Sequence, residues 1–187
     1  MTIKKYGIGM IVSLFAFAFC TLVSCSDDDE TATPLVEWEV TDNSGSISVD
    51  FKPGEHYNDI QFTVEPEGGQ IALVATNWAS FEMTGFRVNG EYSYDATDSD
   101  GNVKPTVVKV ENVYVSPEDF EKEIEPGKEN LAVNQGATLM KKLCKSVVSS
   151  GKNISFEFGP MEAGVSGNFK TYVLNGKQMS DIIVIRK

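Results

Sequence analysis

Asp95, Asp98 and Asp100 stand just ahead of Gly101, in the run Asp95-Ala96-Thr97-Asp98-Ser99-Asp100-Gly101-Asn102. Calcium takes several oxygen ligands, and aspartates at alternate positions before a glycine turn are one way to supply them. Measured against D-x-[DN]-x-[DN]-G, however, the first place is Ala96 and the bidentate twelfth is Val107. Two anchoring ligands are thus missing. Asp, Ser, Gly and Asn are also the common turn residues, so the bland expectation is a solvated hairpin loop. No cofactor is expected; the alternative is calcium, held by Asp95, Asp98 and Asp100.

Aromatic side chains offer a second chemistry. The C–H faces of a sugar stack on exposed rings, while Asn, Asp and Gln read its hydroxyls. Tyr92 and Tyr94 lie two residues apart, so on a strand they share one face. Trp78 follows Asn77 and lies near Phe81. Tyr92, Tyr94 and Trp78 are the ligand-binding candidates. Against this, Trp78 and Trp38 are residue types that sandwiches usually place in the core.

Nucleophilic catalysis has little to work with. The chain holds one histidine, His56, beside Pro53-Gly54-Glu55. Cys144 sits in an apolar helical pattern, and free cysteine is among the most buried residue types. There is no G-x-S-x-G elbow, Walker A run or Rossmann glycine pattern. The expectation is a protein that is not an enzyme. The alternative is a glycan-active hydrolase, which would need two carboxylates ~5–10 Å apart across a cleft.

The 187 residues are 41% hydrophobic and 23% charged, which is ordinary globular material. Sixteen Lys/Arg against 27 Asp/Glu give a formal charge of −11. Nucleic acid demands a basic face, so no nucleic-acid partner is expected. One histidine and three cysteines exclude zinc fingers and disulfide-dense scaffolds.

Residues 1–24 have the shape of a secretory leader: Lys4 and Lys5, then an apolar run from Gly7 to Phe19. That run is short for a spanning helix, which needs ~20 residues. Leu22-Val23-Ser24-Cys25 then resembles the bacterial lipobox. The resemblance implies cleavage before Cys25 and acylation of its thiol. Ser26-Asp27-Asp28-Asp29-Glu30 is similar to the surface-export signal of Bacteroidetes lipoproteins, and by composition it is also a solvated tether. Loss of residues 1–24 would leave 14 Lys/Arg against 27 Asp/Glu, a formal charge of −13. Cys20 would leave with the leader, and Cys25 would carry lipid. Cys144 would then have no cysteine to pair with.

Residues 25–34 read as the acylated cysteine and a polar stalk, and 35–187 as one domain. Most of that domain alternates with period two, the mark of half-buried antiparallel strands. The strands are Val36–Val40, Ile47–Phe51, Ile60–Val64, Phe81–Val88, Glu91–Tyr94, Ile154–Phe158 and Phe169–Leu174, with a Val-rich strand at Thr106–Val115 and an apolar one at Asp181–Arg186. Pro66-Glu67-Gly68-Gly69 predicts a break before a continuous apolar strand, Ile71–Ala75. Asn89-Gly90 predicts a type I′ hairpin turn, and Asn175-Gly176 a second turn. Ser116-Pro117-Glu118-Asp119 opens a short helix to about Ile124. Leu139, Met140, Leu143, Cys144, Val147 and Val148 form one helical stripe, with Lys141, Lys142 and Lys145 on the wet side and Gly151 as its stop. The fold class expected is mostly all-β, an antiparallel immunoglobulin-like β-sandwich with one inserted helix.

Two stretches together resemble the BACON-type domains of Bacteroidetes surface proteins. One runs from Ile60 through Gly68-Gly69 to Asn77-Trp78. The other is Asn153–Gly164, then Phe169–Leu174, then Ile182–Ile185. The resemblance implies an immunoglobulin-like sandwich that accompanies glycan-degrading machinery and binds carbohydrate or mucin. It implies no fixed set of binding residues. A basic residue is usual in the late segment, where Lys170 is the nearest candidate. The stretch 106–151 is longer than the family pattern. The expectation is a lipoprotein of the outer membrane, held by its N-terminal lipid (palmitate among its chains) and exposed at the surface. Its function would be non-catalytic binding of a host or dietary glycan. The alternative is a structural or adhesion-type lipoprotein that binds another envelope protein.

Overall fold

A computed structural model describes residues 36–52 and 59–187. The leader, Cys25, the tether and His56 lie outside the described residues. The elements are β1 (Trp38–Lys52), β2 (Asp59–Ala75), β3 (Glu82–Thr97), β4 (Val103–Val115), α1 (Pro117–Glu121), α2 (Ala132–Leu143), β5 (Ser146–Ser150), β6 (Asn153–Phe158), β7 (Ser166–Asn175) and β8 (Gln178–Arg186). The protein is a mostly antiparallel β-sandwich with inserted helices. Strands run in the order β4-β3-β7-β8-β2-β6-β5, with β1 on β2. Among the described residues, only β2 and β8 pair in parallel.

The two layers are joined by a single long hairpin. The first half of β2, Ile60–Val64, pairs with β8. Its second half, Gly69–Val74, pairs with β6. β1 follows β2 along both halves, with a register shift between Gly45 and Ile47. The predicted break at Pro66–Gly69 is therefore a bend within one strand. Gly68 has φ +82°, and a Cβ there would lie 2.2 Å from the Phe158 carbonyl oxygen. Only glycine lets the backbones come this close. Across the bend the layers meet face to face. Phe62 of the first half packs edge-on against Phe156 of β6, with ring centroids 5.9 Å apart. Phe156 also meets Phe169 of β7 at 6.3 Å. Phe62, Phe86, Phe156, Phe169, Ile60 and Leu73 are fully buried. A buried side chain of this size contributes ~1.5–3 kcal/mol.

The predicted hairpin at Asn89-Gly90 is absent, and β3 runs straight through it. Gly90, at φ +144°, serves a close approach to β7: a Cβ would fall 2.1 Å from the Ser166 carbonyl oxygen. Opposite it, β4 carries an extra residue. Val88 pairs with Val113 but Gly90 with Val110. Asn112 takes φ +49°, the single non-glycine residue of positive φ among the described residues. Its N–H donates to Asn89 Oδ1 at 2.7 Å. This β-bulge restores parity, so Val115, Val113, Val110 and Val108 all face the same way. Asn175-Gly176 does turn a hairpin, between β7 and β8.

α1 opens as expected. The Ser116 side chain accepts from Asp119 N–H, and Asp119 reaches back to the Ser116 N–H. α2 departs from expectation. It begins at Ala132 and stops at Leu143, and Ser146–Ser150 is a strand paired with β6. Val147-Val148 is β-branched and favours the strand once β6 offers a ladder. Cys144 becomes the extended C-cap, 1% exposed. Burial pushes its thiol up to about 12, as for a cysteine packed in the core. Gly136 lets α2 sit on β4, where a Cβ would lie 2.6 Å from Val113 Cγ1. Lys170 is ion-paired with the buried Asp181, whose N–H donates to Asp59 Oδ1 at 3.0 Å.

Replacing Gly90 by alanine should cost about 2 kcal/mol or more, because strain and a backbone clash coincide there. Gly101 has φ +83° but open space around it, so Gly101→Ala should cost about 1 kcal/mol. Urea midpoints of the two variants check the difference.

Candidate functional site

Beyond Glu91, β3 loses its partner β7. Tyr92–Thr97 and Val103–Val108 continue as a two-stranded ribbon, paired only with each other. Its inner face carries Tyr92, Tyr94, Thr106 and Val108, a consequence of the bulge upstream. Against this face stand α2 and the segment that leads into it. Between them lies a cleft of about 490 Å³, lined by Tyr92, Tyr94, Val108, Glu129, Asn130, Gln135, Thr138 and Lys142. That volume falls within the ~300–1,000 Å³ usual for small-molecule sites.

The two tyrosines differ in kind. Tyr92 is 6% exposed and forms the floor, and Tyr94 is 47% exposed and forms the rim. Burial raises the pKa of Tyr92; a hydrogen bond with the Thr138 side chain works the other way, and the neighbouring Tyr94 adds to the rise. The net direction is upward, so the phenol stays neutral at ordinary pH. The opposite wall is fixed by short-range hydrogen bonds. Asn134 Nδ2 donates to the Lys128 carbonyl at 2.6 Å. The Gln135 N–H donates to the Leu131 carbonyl at 2.9 Å. Glu129 Oε1 accepts from the Gly127 N–H at 3.0 Å. Its own N–H and that of Gly127 hold its carboxyl below the usual carboxylate range. Lys142 Nζ is ion-paired with Glu162. A ring face beside amide, hydroxyl and carboxylate groups can hold a polyhydroxylated ligand by stacking and hydrogen bonding.

Of the residues singled out by sequence, the cleft brings together Tyr92 and Tyr94. Trp78 is a correction: it is 3% exposed, packed in the core and absent from the cleft lining. Glu129, Asn130, Gln135, Thr138 and Lys142 were not singled out as site residues. Gln135, Thr138 and Lys142 fall at i, i+3 and i+7, one edge of α2, and that spacing was the available signal.

The aspartates do not converge. Asp98 Oδ1 accepts from the Asp100 N–H at 3.0 Å and the Asn102 N–H at 2.9 Å. Its Oδ2 meets Lys104 Nζ at 3.0 Å. The Asn102 N–H first, then Lys104, keep this carboxyl below its ordinary value. Asp95 lies opposite Pro105, within the ribbon. Among the described residues no three His, Cys, Asp or Glu side chains are grouped to hold a metal.

No family model matches this chain, and no curated protein matches it. It is similar to a protein from Bacteroides thetaiotaomicron solved by NMR, at 15% identity and a TM-score of 0.36, over 83% of this chain and 92% of that one. It is also similar to the swine CD8aa homodimer, at 9% identity and a TM-score of 0.28, over 76% of this chain and 99% of that one. A third likeness is to a chain from work on T cell specificity and activation by the bacterial superantigen toxic shock syndrome toxin-1. There the identity is 8% and the TM-score 0.26, over 78% of this chain and 100% of that one. At these values they carry neither fold nor function, and the sandwich rests on this chain's own strand pairings.

The burial difference separates the tyrosines experimentally. Tyr92→Ala should cost about 3 kcal/mol, as large-to-small core changes do. Tyr94→Ala should stay within about 0.5 kcal/mol, as exposed substitutions do. Chemical denaturation measures both.

Proposed function

We propose that this protein is a lipid-anchored surface protein whose sandwich serves as a non-catalytic carbohydrate-binding module. The observation that carries the reading is the convergence of Tyr92 and Tyr94 with Asn130, Gln135 and Thr138 around one cleft. Glu129 is the only carboxylate among its lining residues, whereas a glycosidase works with two. The anchor belongs to the same reading: Leu22-Val23-Ser24-Cys25 resembles a lipobox, the acidic run after it resembles a surface-export signal, and Cys25 takes the lipid. Two acyl chains suffice for durable attachment at ~0.8 kcal/mol per buried CH₂. Among the described residues no helix is long and apolar enough to cross a membrane. The likeness of the strand framework to BACON-type domains supports a glycan as the ligand.

A second reading has its own observation. On the outer face of the ribbon, Val103 and Val107 are 62% and 57% exposed. Exposed aliphatic side chains on a projecting ribbon suit contact with another envelope protein.

Two measurements test the proposal. Full-length protein should be retarded in affinity gels containing its polysaccharide, and Tyr94→Ala should abolish the retardation while leaving stability intact. Retention by no polysaccharide, with copurification of an envelope protein, would favour the second reading. Radiolabelled palmitate should enter the wild-type chain and not Cys25→Ser.

A further inference from the structure

Two charged side chains line the cleft, Glu129 and Lys142, and their surroundings are unequal. The ammonium of Lys142 is engaged by Glu162, which comes from the segment between β6 and β7. Its charge is offset by that carboxylate at the surface. Glu129 is held by main-chain N–H groups, which favour its ionised form and offset none of its formal charge. The remaining polar groups, on Tyr92, Tyr94, Asn130, Gln135 and Thr138, are neutral donors and acceptors. Around them lies a chain of formal charge −11.

A carboxylate or sulfate brought into the cleft meets Glu129, and the ammonium it would turn to, that of Lys142, is already paired with Glu162. A like charge brought beside Glu129 is repelled, and dissolved salt screens that repulsion. We infer that the cleft takes neutral sugars and rejects their uronate, sialylated and sulfated counterparts, with Glu129 as the residue that sets the discrimination. This inference rests on the carbohydrate-binding reading above.

The test pairs neutral gluco-, galacto- and manno-oligosaccharides with uronate or sulfated forms of the same backbones. Each is titrated into the full-length protein in detergent at low and high salt. The neutral member of a pair should bind about tenfold more tightly at low salt, and added salt should narrow the gap. Glu129→Gln should narrow it at low salt, and Lys142→Gln should widen it. Neutral binding should disappear in Tyr94→Ala. Equal or tighter binding of the acidic members, or a gap that Glu129→Gln leaves untouched, overturns the inference while carbohydrate binding stands. Neutral binding that survives Tyr94→Ala places the ligand elsewhere and overturns it too. Binding of no sugar of either kind removes both readings together.

Discussion

The structure depends on the close approach of main chain to main chain at a few glycines. Gly68 lies against the carbonyls of Phe158 and Gly159, and Gly45 against Gly68 and Gly69. These contacts let one β1–β2 hairpin bend and serve both layers, so the chain needs no separate crossover there. If side chains intervened, the halves of β2 would separate. The aromatic contact between Phe62 and Phe156 would separate with them. Backbone hydrogen bonds contribute ~1 kcal/mol each, whereas a fully buried aromatic contributes more. The bend matters because it closes the phenylalanine core, more than for the ladder it continues.

Parity is the second constraint. A strand shows alternate faces, and a slip of one residue inverts them. β3 keeps Phe86, Val88, Tyr92 and Tyr94 on its inner face because all are even-numbered. β4 must change from odd to even between Val113 and Val110, and Asn112 absorbs the change. Asn89 holds the bulge through its side-chain oxygen. The Asn89-Gly90 pair therefore acts at a distance: it decides which side of the ribbon carries Val108 opposite Tyr92.

Legibility in the sequence follows the range of the interactions. Alternation around Phe62, Phe156 and Phe169 is local, and it marked these strands and their buried faces. The capping box at Ser116 is equally local. Gly90 does not turn the chain as its dipeptide predicts, because a positive φ serves a turn and a close approach alike. Gly176 is the same dipeptide context with nothing within 4 Å of an added Cβ, and there the turn forms. Only the position of β7 separates the two cases. Val147-Val148 continued a helical stripe by spacing but had a ladder waiting on β6. In the site, Tyr92 and Tyr94 were legible as a pair on one strand face. Their opposite wall, from Glu129 to Lys142, comes from residues more than thirty positions later and carries no strand-level signal.

The cleft exists because the sheet outgrows its cover. The 13 residues of β4 extend roughly 43 Å at ~3.3 Å each, whereas the 12 residues of α2 extend roughly 18 Å at ~1.5 Å each. Val110 and Val115 are buried on the face that α2 covers, whereas Tyr94 and Val103 near the ribbon's end are exposed. Tyr92 lies beneath the middle of α2, beside Thr138, and Tyr94 one pleat further along the ribbon, so one is floor and the other rim. A shorter ribbon would remove the rim. The mismatch in length leaves a ring face that the fold does not need for its own stability, and such a face is free to meet a ligand.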